Sequence, residues 1–182
     1  MIGLITDMVE ICAYDTEWAQ EFLKEKAFLE EILKGYKVLI EHVGSTSLVN
    51  CPAKPIIDVA IGIESFEYGN QLVPILCNYS YIYKGNDGIP GRHYFKKQRD
   101  NVTTHHIHMS KIGSTVWNNQ ILFRDYMREH PNKLAEYIKL KQYLASLYPE
   151  DRALYSKGKN EFITSIIEDA KVLKKLRGEV IL

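Results

Sequence analysis

The segment from residue 55 to residue 63 constrains the fold of this chain most strongly, because it is apolar almost without interruption. A strand buried on both faces has this character, whereas a half-exposed strand alternates apolar and polar residues. The only acid in the segment is Asp58, and a lone carboxylate is costly to bury unless a cation, a hydrogen-bond donor or water faces it. The segment therefore predicts an inner strand with a polar feature beside Asp58.

The remaining periodicity predicts an α+β fold with a mixed β-sheet. Further strands are expected at Val38 to Val43, Tyr79 to Lys84, His93 to Gln98 and Thr103 to Lys111, with an edge strand around Val9 to Ala13. Apolar residues recur at helical spacing after Asp15, from Tyr68 to Asn78, and throughout the chain after Ser114, with breaks at Pro131 and Pro149. We expect a single domain over residues 1–182. Its α/β core would span 1–112, and a helical C-terminal part, 113–182, would pack on that core because no Gly/Ser linker separates the two.

Composition restricts the partners that this chain is expected to have. Its 23 basic residues balance its 23 acidic ones, so no overall field attracts it to nucleic acid or to a membrane, and we expect neither as a partner. The three scattered cysteines fit neither a zinc site nor a disulfide framework. No signal peptide and no apolar run of about 20 residues is evident. We expect a cytoplasmic protein; the oligomeric state stays open.

A Gly-Ser turn, Gly44-Ser45-Thr46-Ser47, follows the strand that ends at Val43. Small residues let backbone N–H groups approach a phosphate, and hydroxyl groups add donors, so all four residues are candidates for binding a phosphate. The alternative is an ordinary helix N-cap, for which Ser and Thr are also favoured. The Gly-Lys-Ser/Thr ending of a Walker loop is absent.

Asp58 is the first candidate for a metal ligand and for a catalytic group. Mg²⁺ and other hard divalent cations prefer carboxylate oxygens and retain several waters. A structural ion pair with Lys54 or with an arginine is the alternative. Electron density for an ion or anion beside Asp58 would distinguish these two interpretations.

Two histidines, His106 and His108, are two residues apart on a predicted strand and should share one face of it, with His105 on the other. The pair is a candidate for metal binding, for phosphate contact or for general acid–base catalysis. The alternative is a pair of solvated or hydrogen-bonded histidines.

Four basic residues are candidates for binding phosphates. Lys54 precedes the strand that carries the acid, Arg92 begins another strand, Arg124 lies on a helix with Arg128 one turn later, and Lys159 lies at the start of the last helix. Guanidinium groups match phosphate oxygens well. For Arg124 and Arg128, a solvated helix face is the alternative.

These motifs together resemble the GrpB family of small bacterial proteins with a nucleotidyltransferase-like fold. The resemblance covers nearly the whole chain. It is carried by His42-Val43-Gly44-Ser45-Thr46-Ser47, Ala53-Lys54-Pro55-Ile56-Ile57-Asp58, Arg92 with Phe95, His106-Ile107-His108, Phe123-Arg124-Asp125-Tyr126-Met127-Arg128, and Tyr155, Lys159 and Phe162. One departure is Val49-Asn50-Cys51-Pro52, where the family often has Pro-Gly.

Nucleotidyltransferases have a Gly-Ser turn followed by a strand with two acids separated by one apolar residue, and here Ala60 stands in place of the second acid. Residues 58 and 60 share a strand face, so Ala60 removes a ligand from the side that a pair of metal ions needs. The resemblance implies a divergent nucleotidyltransferase-like protein that binds a nucleotide or phosphorylated small molecule, with His106 or His108 in place of an acid. The alternatives are an inactive nucleotide-binding or regulatory module and a partner-binding scaffold.

Overall fold

The computed structural model describes residues 2–5 and 8–179, which form a six-stranded mixed sheet with helices on both faces. The strands are β1 (Leu4–Ile5), β2 (Leu39–Val43), β3 (Ile57–Ile63), β4 (Tyr81–Tyr83), β5 (Arg92–Arg99) and β6 (Val102–Lys111). Five strands follow the order β2-β3-β6-β5-β4, in which only the β3–β6 pair is parallel. β1 pairs with β6 at Val102 and Thr103, just before the pairing with β3 begins. The predicted α+β fold with a mixed sheet is confirmed.

The central position of β3 explains its apolar sequence. β3 lies between β2 and β6, and six of its seven residues are buried. Its register aligns Asp58 with His106 and Ala60 with His108, so these four side chains share one face of the sheet. The opposite face carries Val59 and the residues that alternate with it.

Two groups of helices cover the two faces. The helices are α1 (Glu17–Ile32), α2 (Phe66–Cys77), α3 (Thr115–Glu129), α4 (Pro131–Leu147), α5 (Arg152–Gly158) and α6 (Asn160–Leu176). On one face, Trp18 and Leu29 of α1 and Leu72 of α2 pack with Val59 and Ile107 in the largest core cluster. On the other face, α3 packs through Trp117 against Val43 and Ala60.

The C-terminal helices form their own apolar cluster, which also takes in the segment after the Gly-Ser turn. Phe123 of α3, Tyr137 of α4 and Ile167 of α6 pack with Leu48. Ser114 caps α3 by accepting a hydrogen bond from the N–H group of Trp117. This packing holds α4 and α6 above the face of the sheet that carries Asp58, and α5 joins them through Tyr155, which packs with Leu144 of α4.

One expectation about local structure is wrong, and one helix was not predicted. The edge strand expected around Val9 to Ala13 is absent: the first strand is Leu4–Ile5, and Cys12 makes only an isolated bridge to Ala53. The sequence interpretation also did not separate α5 from its neighbours; Asp151 caps it by accepting a hydrogen bond from the N–H group of Leu154. Among the described residues, none of the helices combines the length and apolar character that crossing a bilayer requires.

Candidate functional site

Asp58 lies at the centre of a group of polar side chains on the face of the sheet beneath α3 to α6. Its Oδ1 atom is 3.0 Å from Nδ1 of His106 and 3.4 Å from Nε2 of His108. The parallel pairing of β3 with β6 sets these distances, because His106 is directly opposite Asp58 and His108 follows two residues later on the same face. The structure therefore brings together the three residues that were expected to form a catalytic or metal-binding group.

Two arginines determine which nitrogen of each imidazole carries the proton. Arg152 Nη2 is 2.8 Å from Nε2 of His106, and Arg92 Nη1 is 3.2 Å from Nδ1 of His108. A guanidinium group only donates hydrogen bonds, so each of these ring nitrogens must accept. The proton of each ring therefore lies on the nitrogen that faces Asp58. The carboxylate accepts two N–H hydrogen bonds, and each imidazole is held from behind by an arginine.

This arrangement favours a charged Asp58 beside a neutral His106. Burial alone would raise the pKa of Asp58, but the hydrogen bonds from His106 and His108 outweigh it and hold that pKa well below its usual range. Burial lowers the pKa of His106 to about 4 in spite of the nearby carboxylate. At neutral pH Asp58 therefore contributes a negative charge to the centre of the site.

The Gly-Ser turn lies directly against Asp58. Gly44 has φ 69° and ψ −171°, a conformation essentially restricted to glycine, and a Cβ atom at this position would collide with the Asp58 carboxylate. Ser45 follows at the edge of the cleft, where its Oγ is 3.3 Å from the hydroxyl group of Tyr137. The close approach of turn and carboxylate thus depends on glycine.

A small cavity with a volume of about 160 Å³ opens beside Asp58 and the turn. Three basic side chains line it: Lys54, Arg152 and Lys159. The ammonium groups of Lys54 and Lys159 lie 5.1 Å and 4.3 Å from the centroid of the Tyr155 ring. Burial lowers the pKa of Lys54 to about 8 and that of Lys159 to about 7. Among the described residues that line this cavity, three are basic and Asp58 is the one acid, a balance that favours an anionic ligand.

A larger cavity, with a volume of about 730 Å³, adjoins the small one. The two cavities share Ser45, Asp58 and Lys159 as lining residues. Gly44, Arg92 and His108 line only the larger cavity, while Thr46, Lys54 and His106 line only the smaller one. Most of the residues expected to bind phosphate therefore border one two-chambered cleft.

Two of the expected phosphate-binding residues do not line either chamber. Ser47 donates its hydroxyl proton to the carbonyl of Gly44 at 2.7 Å and so stabilises the turn from within. Arg124 donates to Glu41 at 2.6 Å, to Asp125 at 2.7 Å and to the carbonyl of His42. The adjacent acids occupy its guanidinium group, which therefore joins α3 to β2. Arg124 was expected either to contact phosphate or to lie on a solvated helix face. It does neither, because it is buried and bound to these partners.

Sequence reasoning missed Arg152 and gave Tyr137 no role. Arg152 lies at the start of α5, and Asp151 after Pro149 was the available signal that a new helix begins there. Nothing in the local sequence distinguishes Arg152 from a solvated charge, because its partner His106 is 46 residues away along the chain.

The same centre is a candidate for metal binding. Asp58, His106 and His108 each offer one donor atom, and the three atoms lie within 4.8 Å of one another. The position of a second carboxylate on this face is taken by Ala60, which is fully buried and packs with Val43 and Trp117. This donor set does not fit the two Mg²⁺ ions of a two-metal mechanism, whereas one carboxylate and two imidazoles match the ligand preferences of a single transition-metal ion.

Comparisons with known proteins show the family to which this chain belongs. The sequence profile of the GrpB protein family matches residues 8–169. The UPF0157 protein YqkA of Bacillus subtilis is 42% identical over 170 residues, which are 93% of this chain and 49% of that protein. The glutamate-rich protein GrpB of Alkalihalophilus pseudofirmus is 33% identical over 176 residues, which are 93% of this chain and 99% of that protein. The chain thus spans about half of the first relative and nearly all of the second.

Solved structures give the same assignment at the level of the fold. The crystal structure of GrpB from Enterococcus faecalis matches with a TM-score of 0.81 and 34% identity over 92% of this chain and 99% of that one. The Cid1 poly(U) polymerase matches with a TM-score of 0.50 and 12% identity over 75% of this chain and 44% of that one, a likeness of fold alone. The chain therefore belongs to the GrpB family and has a nucleotidyltransferase-like fold.

Proposed function

We propose that the cleft binds a nucleotide or another phosphorylated small molecule, with the phosphate groups in the small cavity. The observation that carries this proposal is the convergence of Lys54, Arg152 and Lys159 on a cavity that also borders the Gly-Ser turn and Asp58. Guanidinium and ammonium groups are the side chains that bind phosphate oxygens best. One carboxylate offsets only part of their charge, so a bound dianion would restore the balance.

The protonation of the lysines supports the same proposal. Burial and the neighbouring positive groups favour loss of a proton from Lys159, whose pKa is about 7. A phosphate in the small cavity would favour the charged form and reverse this effect. The site is thus better suited to hold an anion than to remain without one at neutral pH.

We further propose that a single divalent cation would be held by Asp58, His106 and His108, and that the two imidazoles favour a transition-metal ion over Mg²⁺. When bound, such an ion would supply positive charge that polarises a phosphate oxygen. To bind the ion, the nitrogen of each imidazole that faces Asp58 would have to lose its proton, so both N–H hydrogen bonds to Asp58 would be lost. The other nitrogen of each ring would then carry the proton, and it would face Arg152 in His106 and Arg92 in His108. An anion that draws Arg152 away from His106 would therefore favour binding of the ion.

Two functions of the bound nucleotide are compatible with this proposal, one catalytic and one not. In a divergent nucleotidyltransferase, His106 or His108 would move a proton at the reacting oxygen, and Asp58 would orient the two rings. The buried Ala60 favours the second candidate, a nucleotide-binding or regulatory module without turnover, because the second carboxylate is replaced by apolar packing. In nucleotidyl transfer, the oxygen of an acceptor bonds to the α-phosphate of ATP as pyrophosphate leaves. Incubation of labelled ATP with candidate acceptors, with and without Mn²⁺, therefore separates the two candidates once binding is established, because only the transferase releases pyrophosphate and labels the acceptor.

Thermal unfolding with tripolyphosphate and ATP tests the binding proposal. A ligand at a hundred times its Kd should raise the free energy of unfolding by about 2.7 kcal/mol. Lys159→Met should lower the affinity for tripolyphosphate at least tenfold, whereas the matched control Lys175→Met, at an exposed position of α6, should leave it unchanged. Absence of any stabilisation by either compound would refute the proposal, and so would equal effects of the two substitutions.

A further inference from the structure

One face of α5 forms a wall of the small cavity. Arg152, Tyr155 and Lys159, the residue that follows the helix, are three and four residues apart, so their side chains lie on the same side, and all three line the cavity. Tyr155 is the middle residue. It is 1% exposed and packs with Val9 and with Leu144 of α4, so the core of the protein fixes the position of its ring.

Two ammonium groups lie near the ring of Tyr155. The Nζ atom of Lys159 is 4.3 Å from the ring centroid, and that of Lys54, which precedes β3, is 5.1 Å away. Both distances are in the range of a cation–π interaction. Within the described part of the chain, neither ammonium group has a hydrogen bond or an ion pair with a protein acceptor. The aromatic ring is therefore the contact that stabilises both charges.

Lys97, near the opposite face of the sheet, shows what an acidic partner does. Its Nζ atom is 5.4 Å from the ring centroid of Tyr81, a buried tyrosine, but it also binds the carboxylate of Glu25 at 2.6 Å. That carboxylate neutralises the charge of Lys97. An aromatic ring attracts a cation through its quadrupole and carries no net charge, so Lys54 and Lys159 keep their charges available to an anion.

We propose that Tyr155 is the positioning residue of the anion site, and that its ring holds the ammonium groups of Lys54 and Lys159 in place without neutralising them. This inference rests on the proposed function, because it requires an anion in the small cavity. Two ammonium groups that border one cavity repel each other, and long lysine side chains lose conformational entropy when a ligand orders them. A ring that orders both side chains before the ligand arrives reduces this loss.

Replacement of the ring tests this inference by calorimetric titration of the whole chain with tripolyphosphate. Tyr155→Leu should weaken binding about tenfold, because it removes two cation–π interactions and leaves the lysines less ordered. Tyr155→Phe keeps an aromatic ring and should bind within about twofold of the unaltered protein. Tyr81→Leu is the matched control: it removes a buried tyrosine beside Lys97, so it should lower the free energy of unfolding but leave the affinity unchanged.

A fluorinated ring separates positioning of the lysines from a general loss of packing. A trifluorinated phenylalanine at position 155 keeps the shape of the phenylalanine ring but removes the negative potential of its faces. It should bind tripolyphosphate about fivefold more weakly than Tyr155→Phe. This comparison holds even where Tyr155→Leu does not fold, because the two rings fill the same space.

The outcomes distinguish a failure of this inference from a failure of the proposed function. If tripolyphosphate binds the unaltered protein, and the fluorinated variant binds it as tightly as Tyr155→Phe, the positioning role is refuted and the phosphate site stands. If Tyr155→Phe loses as much affinity as Tyr155→Leu, the hydroxyl group and not the ring is responsible, and the inference is overturned. If the unaltered protein does not bind tripolyphosphate, both are refuted.

Discussion

Histidines on the two faces of β6 have different partners and different exposure to ligands. On one face, Nε2 of His105 is 3.8 Å from Glu25 of α1, whose carboxylate also binds Lys97 and Tyr81 at 2.6 Å each. On the other face, His106 and His108 donate to Asp58 at the edge of a two-chambered cleft. The strand is the same, and only the elements that cover it differ.

The charge on each face explains the difference in role. Glu25 lies on the buried face of α1, where its side chain is 6% exposed, and Lys97 directly balances its charge. Asp58 is 27% exposed and accepts hydrogen bonds from two imidazoles, while the nearby cations Lys54, Arg152 and Lys159 line a cavity. A buried carboxylate whose charge is neutralised by a lysine stabilises the fold. Where several cations surround one accessible carboxylate, the positive charge that remains can bind an anionic ligand.

The largest effect is expected at the turn that makes the ligand-binding face possible. Gly44→Ala should lower the free energy of unfolding by about 4 kcal/mol, because it combines backbone strain with a collision against Asp58. Gly85→Ala is the matched control: Gly85 has φ +64° but open space around it, so the cost should be about 1–2 kcal/mol. Equal losses of unfolding free energy for Gly44→Ala and Gly85→Ala, measured by denaturant-induced unfolding, would show that the turn does not approach the Asp58 carboxylate closely.

Substitution of the two carboxylates compares the faces directly. Glu25→Gln should lower the free energy of unfolding by about 2 kcal/mol, because it removes the charge that pairs with the partly exposed Lys97 and weakens the hydrogen bond from Tyr81, and should not change tripolyphosphate affinity. Asp58→Asn should cost less than about 1 kcal/mol, because the amide oxygen can still accept from both imidazoles. It should raise metal-free tripolyphosphate affinity and abolish any dependence on a metal ion. The reverse order of stability losses in chemical denaturation would refute the comparison.

The pH dependence of anion binding should follow the lysines of the small cavity. Lys159 and Lys54, with pKa values of about 7 and 8, lose their protons as the pH rises, so affinity for sulfate should fall about tenfold between pH 7 and 9.5. Sulfate remains a dianion over this range. Without a ligand, these lysines make the free energy of unfolding rise with pH from about 7 towards 10, because the unfolded chain then binds more protons than the folded one.

Titrations at constant ionic strength measure the pH effect. Lys159→Met should flatten the profile around pH 7, and Lys175→Met should not. Sulfate affinity that is constant or rises over this range would contradict the assignment of these lysines to the anion site.

The smallest effect is expected from the arginine behind His106. Arg152→Met removes the donor to Nε2, which is then free to carry the ring proton, so that Nδ1 becomes available to a metal ion. Titration with Co²⁺, followed by visible absorbance, should show about fivefold tighter binding than in the unaltered protein, or about 1 kcal/mol. Arg177→Met, at the end of α6, is the control. Weaker Co²⁺ binding in Arg152→Met would contradict the proposed competition.

Periodicity predicted much of the fold because burial acts on each strand locally. The apolar run that contains Asp58 is the inner strand β3, and the alternation around His106 and His108 gives the correct faces of β6. The N-terminal strand was misplaced because β1 has only two residues, too few for a periodic pattern. Its pairing depends on the open edge beside Val102 and Thr103, which no local pattern reveals.

Residues of the candidate site could be predicted only where a polar residue interrupts a regular apolar or alternating pattern. Asp58 within an apolar run and two histidines on one strand face are such exceptions. Arg124 and Arg152 are not, because a surface arginine and an arginine in the site have the same local sequence context. Their roles follow from partners far along the chain: Glu41 for Arg124 and His106 for Arg152.

The central claim is that the small cavity beside Asp58 holds an oxyanion. A crystal soaked in tungstate, a tetrahedral dianion with strong anomalous scattering, tests this most directly. The account predicts an anomalous peak in contact with Lys54, Arg152 and Lys159, beside Ser45. A peak elsewhere on the molecule with none in this cavity would contradict it.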